Sequence, residues 1–156
     1  MRCLTVKQPF ASLLCWNIKD VENRSQKTNI RGKVLIHAGA QWHEYAKGEQ
    51  DNQFGLTDAQ WLDLLPYQRS HFRHYKNYPL PFSAIIGEVE IVDCVQNHPS
   101  VWAIDGYRHW VVKNAITYPE PILNVKGALS FWNPKGALVD RILEQRFLAI
   151  AKENYI

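Results

Sequence analysis

The sequence predicts one α+β domain built around a curved or closed sheet, and three observations carry that prediction. The chain has 156 residues, 46% apolar and 21% charged, which is one domain's worth of chain with enough apolar material for a sizeable core. Short β-prone runs recur along its whole length. Helical spacing of apolar residues is confined to a few stretches, the longest at the carboxyl end.

Leu4-Thr5-Val6 is the first β-prone run, and Pro9 then stands at the first turn of a helix whose apolar residues continue to Trp16. A polar segment, Lys19 to Gln26, separates this helix from Lys33-Val34-Leu35-Ile36-His37-Ala38, whose unbroken apolar centre suits a strand buried on both faces. Residues 39 to 82 read as a helical or loop excursion. Gly39, Gly48 and Gly55 punctuate it, Thr57 to Leu65 forms a capped amphipathic helix ended by Pro66, and His71, Phe72, His74 and Tyr75 fall on a second short helix before Pro79 and Pro81. Ser83 to Val95 is the clearest long strand, with Gly87 marking a bulge or bend. Tyr107 to Tyr118 is a further strand, Pro119 and Pro121 punctuate the approach to the next β-prone run, and that run, Lys126 to Trp132, is a last strand broken by Asn133-Pro134. Leu138, Val139, Ile142, Leu143, Phe147 and Ile150 recur at helical spacing in a closing helix.

Several function classes are excluded or disfavoured. Neither G-x-x-x-x-G-K-[ST] nor G-x-G-x-x-G occurs, so P-loop nucleotide hydrolysis is out. Six histidines stand at no recognisable zinc spacing with Cys or acidic residues, so the sequence points to no metal and no cofactor. The serines lack a G-x-S-x-G elbow, and the three cysteines, Cys3, Cys15 and Cys94, form no C-x-x-C pair and read as reduced thiols. With no run of about 18 apolar residues and no secretion-signal core at the amino end, the expected location is the cytoplasm, away from membranes.

Charge directs attention to the amino-terminal fifth. The net charge is +3, yet residues 1 to 33 carry seven basic side chains against Asp20 and Glu22. Within this stretch, Lys19, Glu22 and Arg24 lie between two core elements, and in an extended chain Glu22 and Arg24 share a face. Buried charges there must pair with one another or face a cleft. Lys19, Arg24, Lys27 and Arg31 can neutralise phosphates, Glu22 can accept from the exocyclic amine of a base, and Trp16, Trp110 and Trp132 offer rings for stacking.

Gln8-Pro9-Phe10-Ala11 followed by Ile18-Lys19-Asp20-Val21-Glu22-Asn23-Arg24 closely resembles the signature of the ASCH domain family, a G-x-K-x-x-E-x-R run after an opening strand and helix. The segments Gly32–Ala38, Ile85–Val89 and Lys126–Trp132 resemble later strands of that family, so the likeness covers nearly the whole chain. It implies a PUA-like mixed β-barrel with flanking helices and a cleft lined by the K-x-x-E-x-R residues, in a superfamily associated with RNA binding and RNA metabolism. Two positions depart from the pattern. Asn17-Ile18 replaces the motif's glycine, with Asn17 able to take a left-handed turn. Glu22 stands where a deacylating branch of the family carries a threonine nucleophile, so a hydroxyl-based mechanism does not transfer.

The expected function is binding of single-stranded RNA or a nucleotide in a cleft built from Lys7, Gln8, Lys19, Glu22 and Arg24, with Lys27, Arg31 and Trp132 extending the surface. The alternative is a small hydrolase acting on single-stranded RNA or a modified nucleoside, with Lys19 as base or electrostatic stabiliser and Glu22 as general acid or base. A third reading makes residues 39 to 82 a protein-interaction module.

Overall fold

A computed structural model describes residues 1–43, 56–64 and 80–155. In chain order the elements are β1 (Cys3–Gln8), α1 (Phe10–Cys15), β2 (Val21–Arg24), β3 (Gly32–Trp42), α2 (Asp58–Asp63), β4 (Ala84–Val95), β5 (Arg108–Ile122), β6 (Phe131–Trp132) and α3 (Ala137–Asn154). The six strands form one mixed sheet in the order β2-β5-β4-β3-β1-β6. Only β1 and β3 run parallel, and α1 lies in the connection between them.

Both faces of the sheet are covered, which is why Val34 to Ile36 reads as an unbroken apolar run. On the inner face Leu4, Val6, Val34, Ile36, Val89, Ile91, Trp110 and Val112 pack with Ala11, Leu14 and Cys15 of α1. The outer face, with Cys3, Leu35, Ile85, Tyr118 and Ile122, is covered by Ile142 and Ala149 of α3. A third cluster joins Leu13 of α1 to Leu56, Trp61, Leu64, Leu80 and Trp102. Within it, Trp102 Nε1 donates to Asp63 at the end of α2 (2.9 Å).

The expected bulge at Gly87 is present. The β4–β5 register shifts between Ile85 and Gly87, and a Cβ at Gly87 would stand 2.2 Å from Ile116 O and 2.9 Å from Cys15 Sγ. Only a residue without a side chain lets α1, β4 and β5 approach so closely.

The expected barrel closure is corrected: the sheet is not closed. The end strands β2 and β6 are four and two residues long, and no ladder joins them. Side chains meet across the seam instead. Arg24 Nη2 of β2 donates to Thr5 O of β1 (3.0 Å), and the Trp110 ring of β5 stacks on Phe131 of β6, centroids 5.4 Å apart and planes 7° from parallel. The sheet therefore curls until its two ends touch through guanidinium and aromatic groups rather than through backbone pairing.

Other expectations are refined. The polar segment after α1 contains a strand, β2, which pairs with β5. β3 runs on to Trp42. β5 continues through Pro119 and Pro121, and the intervening Glu120 N–H is satisfied by Gln145 Oε1 of α3 (3.0 Å). Of Lys126 to Trp132 only the last two residues are strand. Ser130 has φ +58°, and Gly127 lies against the His37 ring, where a Cβ would come within 2.6 Å.

The helix at Thr57 has its capping box: Thr57 Oγ1 accepts from Gln60 N, and Gln60 Oε1 accepts from Thr57 N. Gly48, Gly55, Leu65, Pro66, Pro79 and the second helix expected around His71, Phe72, His74 and Tyr75 lie outside the described residues. α3 forms as expected, but it seats Ile142, Gln145 and Ala149, leaving Leu143 and Phe147 47% and 71% exposed. Among the described residues no helix is long and apolar enough to cross a membrane.

Candidate nucleic-acid interface

The cluster at the seam begins at the end of α1. Asn17 takes φ +58°, the left-handed turn that Asn tolerates. The N–H groups of Ile18 and Lys19 both return to Leu13 O. This turn drives Lys19 inward, and the chain then straightens into β2, putting Glu22 and Arg24 on one face two residues apart.

Lys19 is 4% exposed. Its ammonium donates to Val21 O and to Glu22 Oε2 (2.9 Å), and lies 5.4 Å from the Phe10 ring centroid. Arg24 Nε donates to the other carboxylate oxygen, Glu22 Oε1, at 3.0 Å. The Arg24 guanidinium carbon is 5.8 Å from the Trp110 ring centroid. Burial would raise the Glu22 pKa, but the adjacent Lys19 and Arg24 charges and their hydrogen bonds outweigh it and hold the carboxyl below its ordinary range. Glu22 is thus an ionised carboxylate clamped between two cations.

The back of β2 is tied to the segment between β4 and β5. Asp20 Oδ1 accepts from the Ser100 hydroxyl. Asn23 donates to Trp102 O and accepts from Ile104 N. His109 Nδ1 accepts from His98 N while Nε2 donates to Ile104 O. These bonds hold the short edge strand from behind and add to its single ladder, the one with β5.

Of the residues expected to form the cleft, the structure brings Lys19, Glu22 and Arg24 together. Gln8 is fully buried and its amide is spent on fold: Nε2 donates to Ser12 Oγ and Pro81 O, and Oε1 accepts from Ser12 N. Lys7 is exposed between buried Val6 and Gln8 and, among the described residues, is not joined to the cluster by any hydrogen bond or ion pair. Lys27 is exposed in the loop after β2, next to Gln26, whose carbonyl accepts from Trp110 Nε1 (2.9 Å). Arg31 is turned to Thr28 O, Ile30 O and, at 3.5 Å, Asp93.

Trp132 is directed away from the cluster: its Nε1 donates to Thr5 Oγ1 and its ring meets His37 edge-on. Alternation along β6 puts Phe131 at the seam instead. Sequence can say that Phe131 and Trp132 face opposite ways, but only the pairing of β6 with Cys3 and Leu4 decides which faces in. Trp16 lies beside the cluster of α1 and α2.

A second buried polar group has no counterpart in the sequence reading. Glu88 of β4, 1% exposed, accepts from Tyr118 Oη and Arg146 Nε and pairs with Arg146 Nη2 (2.7 Å) and Lys33 (3.5 Å). Burial, and then the Glu88 charge, push the Tyr118 phenol above its ordinary pKa. The group pins α3 to the sheet.

His37, 2% exposed, joins a separate chain of bonds. Trp132 Nε1 donates to Thr5 Oγ1, Thr5 donates to His37 Nδ1, and His37 Nε2 donates to Val125 O. Burial holds its imidazole below the ordinary pKa.

Burial pushes the Cys3 thiol up to about 12 and, with Glu88, pushes Cys15 higher still, so neither is an activated nucleophile. Among the described residues no group of three or more His, Cys, Asp or Glu could hold a metal ion.

A family model, the ASCH domain, matches residues 4–122, taking in the seam cluster and strands β2 to β5 entire. No curated protein matches the chain.

Proposed function

The chain belongs to the ASCH domain family, and on that premise we propose that it binds single-stranded RNA or a nucleotide, in RNA metabolism, through the cleft where Lys19, Glu22 and Arg24 meet the seam of a PUA-like curled sheet. The observation that carries this reading is the state of Arg24. Its Nε and Nη2 are spent on Glu22 and Thr5 O, its side chain is 28% exposed, and among the described residues Nη1 makes no hydrogen bond. The guanidinium is oriented from within and offers its outer donors to a ligand.

The three motif residues then divide the work. Lys19, buried and held by Val21 O and Glu22, is a positioning residue. Glu22 keeps a spare lone pair on each oxygen and accepts from a base amine. Arg24 meets ligand, and the exposed Lys27 adds charge for the phosphate backbone. The aromatic group offered beside Arg24 is Phe131 over Trp110, in place of Trp132. The hydrolase alternative asks Glu22 to act as general acid or base, and a carboxyl held below its ordinary range is a poor acid near neutral pH and a weak base.

The test is binding of a panel of single-stranded oligoribonucleotides and nucleotides by fluorescence anisotropy across a salt series, with product analysis of every mixture. Log affinity should fall linearly with log salt at about −0.7 per phosphate neutralised. Arg24→Gln should cost about 1.5–3 kcal/mol of binding, while Lys27→Gln should shallow the slope and leave base preference unchanged. A wild-type protein that binds none of the panel at low salt would end this reading, and accumulation of cleavage products would replace it with the hydrolase.

A further inference from the structure

Arg24 has a partner rung that the motif does not contain. On the β2–β5 ladder Glu22 stands opposite Trp110 and Arg24 opposite Arg108. Val112 N donates to Asp20 O, so the hydrogen-bonded rungs fall at 20/112, 22/110 and 24/108, and the side chains of the last two rungs project on the same face. Two guanidinium-bearing residues therefore stand directly opposite one another, Cβ atoms about 4.5–5.5 Å apart, one rung from the Glu22 cluster.

Like charges directly opposite are destabilising, and among the described residues nothing compensates this pair fully. Glu22 is shared between Lys19 and Arg24. Arg108 is only partly exposed, yet among the described residues its side chain has no hydrogen-bond or ion-pair partner. Of the carboxylates on the adjoining strand segments, Asp93 pairs with Arg31, Glu90 accepts from Asn114 and Asp20 accepts from Ser100. The chain after Arg24 turns back onto this face, where Gln26 O accepts from Trp110 Nε1, and the next residue is the exposed Lys27.

We infer that Arg108, with Arg24 across the rung, binds a phosphodiester group of the ligand. This rests on the reading of the seam as an RNA-binding cleft and makes it more specific: the anion fills a position that two cations already flank, so the cleft takes a strand rather than a neutral nucleoside. The guanidinium planes suit the paired oxygens of a phosphate.

The experiment compares the full chain with its Arg108→Gln and Arg108→Lys variants, using a labelled mixed-sequence single-stranded oligoribonucleotide in a salt series and, as competitors, a nucleoside and its 5′-monophosphate. Arg108→Gln should bind about tenfold more weakly at low salt, with the log–log slope shallower by about 0.7 and base preference unchanged. Arg108→Lys should recover the slope. The melting temperature of Arg108→Gln should hold or rise, because a like-charge rung is removed. An unchanged slope and affinity in Arg108→Gln, with wild type binding, overturns the assignment of Arg108 alone, as does a fall in melting temperature without a change in slope. If Arg108→Gln weakens the competing monophosphate as much as the strand, the subsite takes a terminal phosphate and the phosphodiester assignment fails. If wild type does not bind RNA, the cleft reading falls and this inference with it.

Discussion

Replacing Glu22 with Gln tests whether the carboxylate is the keystone of the seam. In the wild type its two oxygens take Lys19 at 2.9 Å and Arg24 at 3.0 Å. The isosteric amide keeps one acceptor and turns an N–H₂ toward the other cation. Lys19 is the costlier residue to abandon, since its side chain is 3% exposed against 28% for Arg24. Breaking a buried pair costs about 3–5 kcal/mol. Here one acceptor survives and Arg24 can turn to water, so about 2–4 kcal/mol is expected for Glu22→Gln and the upper part of the full range for Glu22→Leu. At about 2–4 °C per kcal/mol for a chain of this size, a loss of about 3 kcal/mol lowers the melting temperature by about 6–12 °C.

The assay is urea denaturation with the slope checked for constancy, repeated in Lys19→Met and in the double variant. Removing the cation removes the need for its partner, so the double variant should be about 2 kcal/mol more stable than the sum of the singles. The acid limb adds a second reading. Glu22 has its folded pKa below the unfolded 4.5, so the stability it contributes is present above pH 4.5 and is lost as the pH falls through the lower folded value. Glu22→Gln should show a shallower loss over that window. A Glu22→Gln protein within about 0.5 kcal/mol of wild type, the noise of an ordinary surface substitution, with additive double-variant energies, would refute the keystone role.

Arg146→Leu leaves Glu88 buried without its two-toothed partner, and should cost about 3 kcal/mol or more, read by denaturation, with faster amide exchange confined first to α3. Gly87→Ala forces a methyl to within 2.2 Å of Ile116 O and should cost several kcal/mol by shifting β4 from β5, visible as a large drop in melting temperature; a normal melt would mean the bulge is absent. His37 has a folded pKa below the ordinary 6.5, so the unfolded chain takes up the proton first and stability falls as the pH drops below 6.5. His37→Gln should remove that part of the pH dependence, measured as the difference between the two stability curves from pH 7 downward.

Most of the elements were legible in the sequence because short-range physics makes them. Leu4 to Val6, Val34 to Ala38 and Ile85 to Val92 are β-prone segments rich in apolar residues, Thr57 and Gln60 form a cap within one turn of each other, and Gly87 announced its bulge. Lys19, Glu22 and Arg24 were legible for the same reason, since an i, i+3, i+5 spacing across a turn and a strand brings them together locally. Tertiary pairing decided the rest. β2 carries only four residues, two of them charged, and is a strand because β5 supplies its ladder from more than 80 positions away.

The same long-range register put Phe131 rather than Trp132 at the seam and stood Arg108 opposite Arg24. It also buried Glu88 beneath Arg146, and it seated α3 on Ile142, Gln145 and Ala149 where apolar periodicity alone would equally have chosen Leu143 and Phe147. Which face of an element is inside depends on which partner it meets, and a one-residue slip of a strand exchanges its faces. Composition and local spacing are silent on that choice, because they are the same before and after the slip.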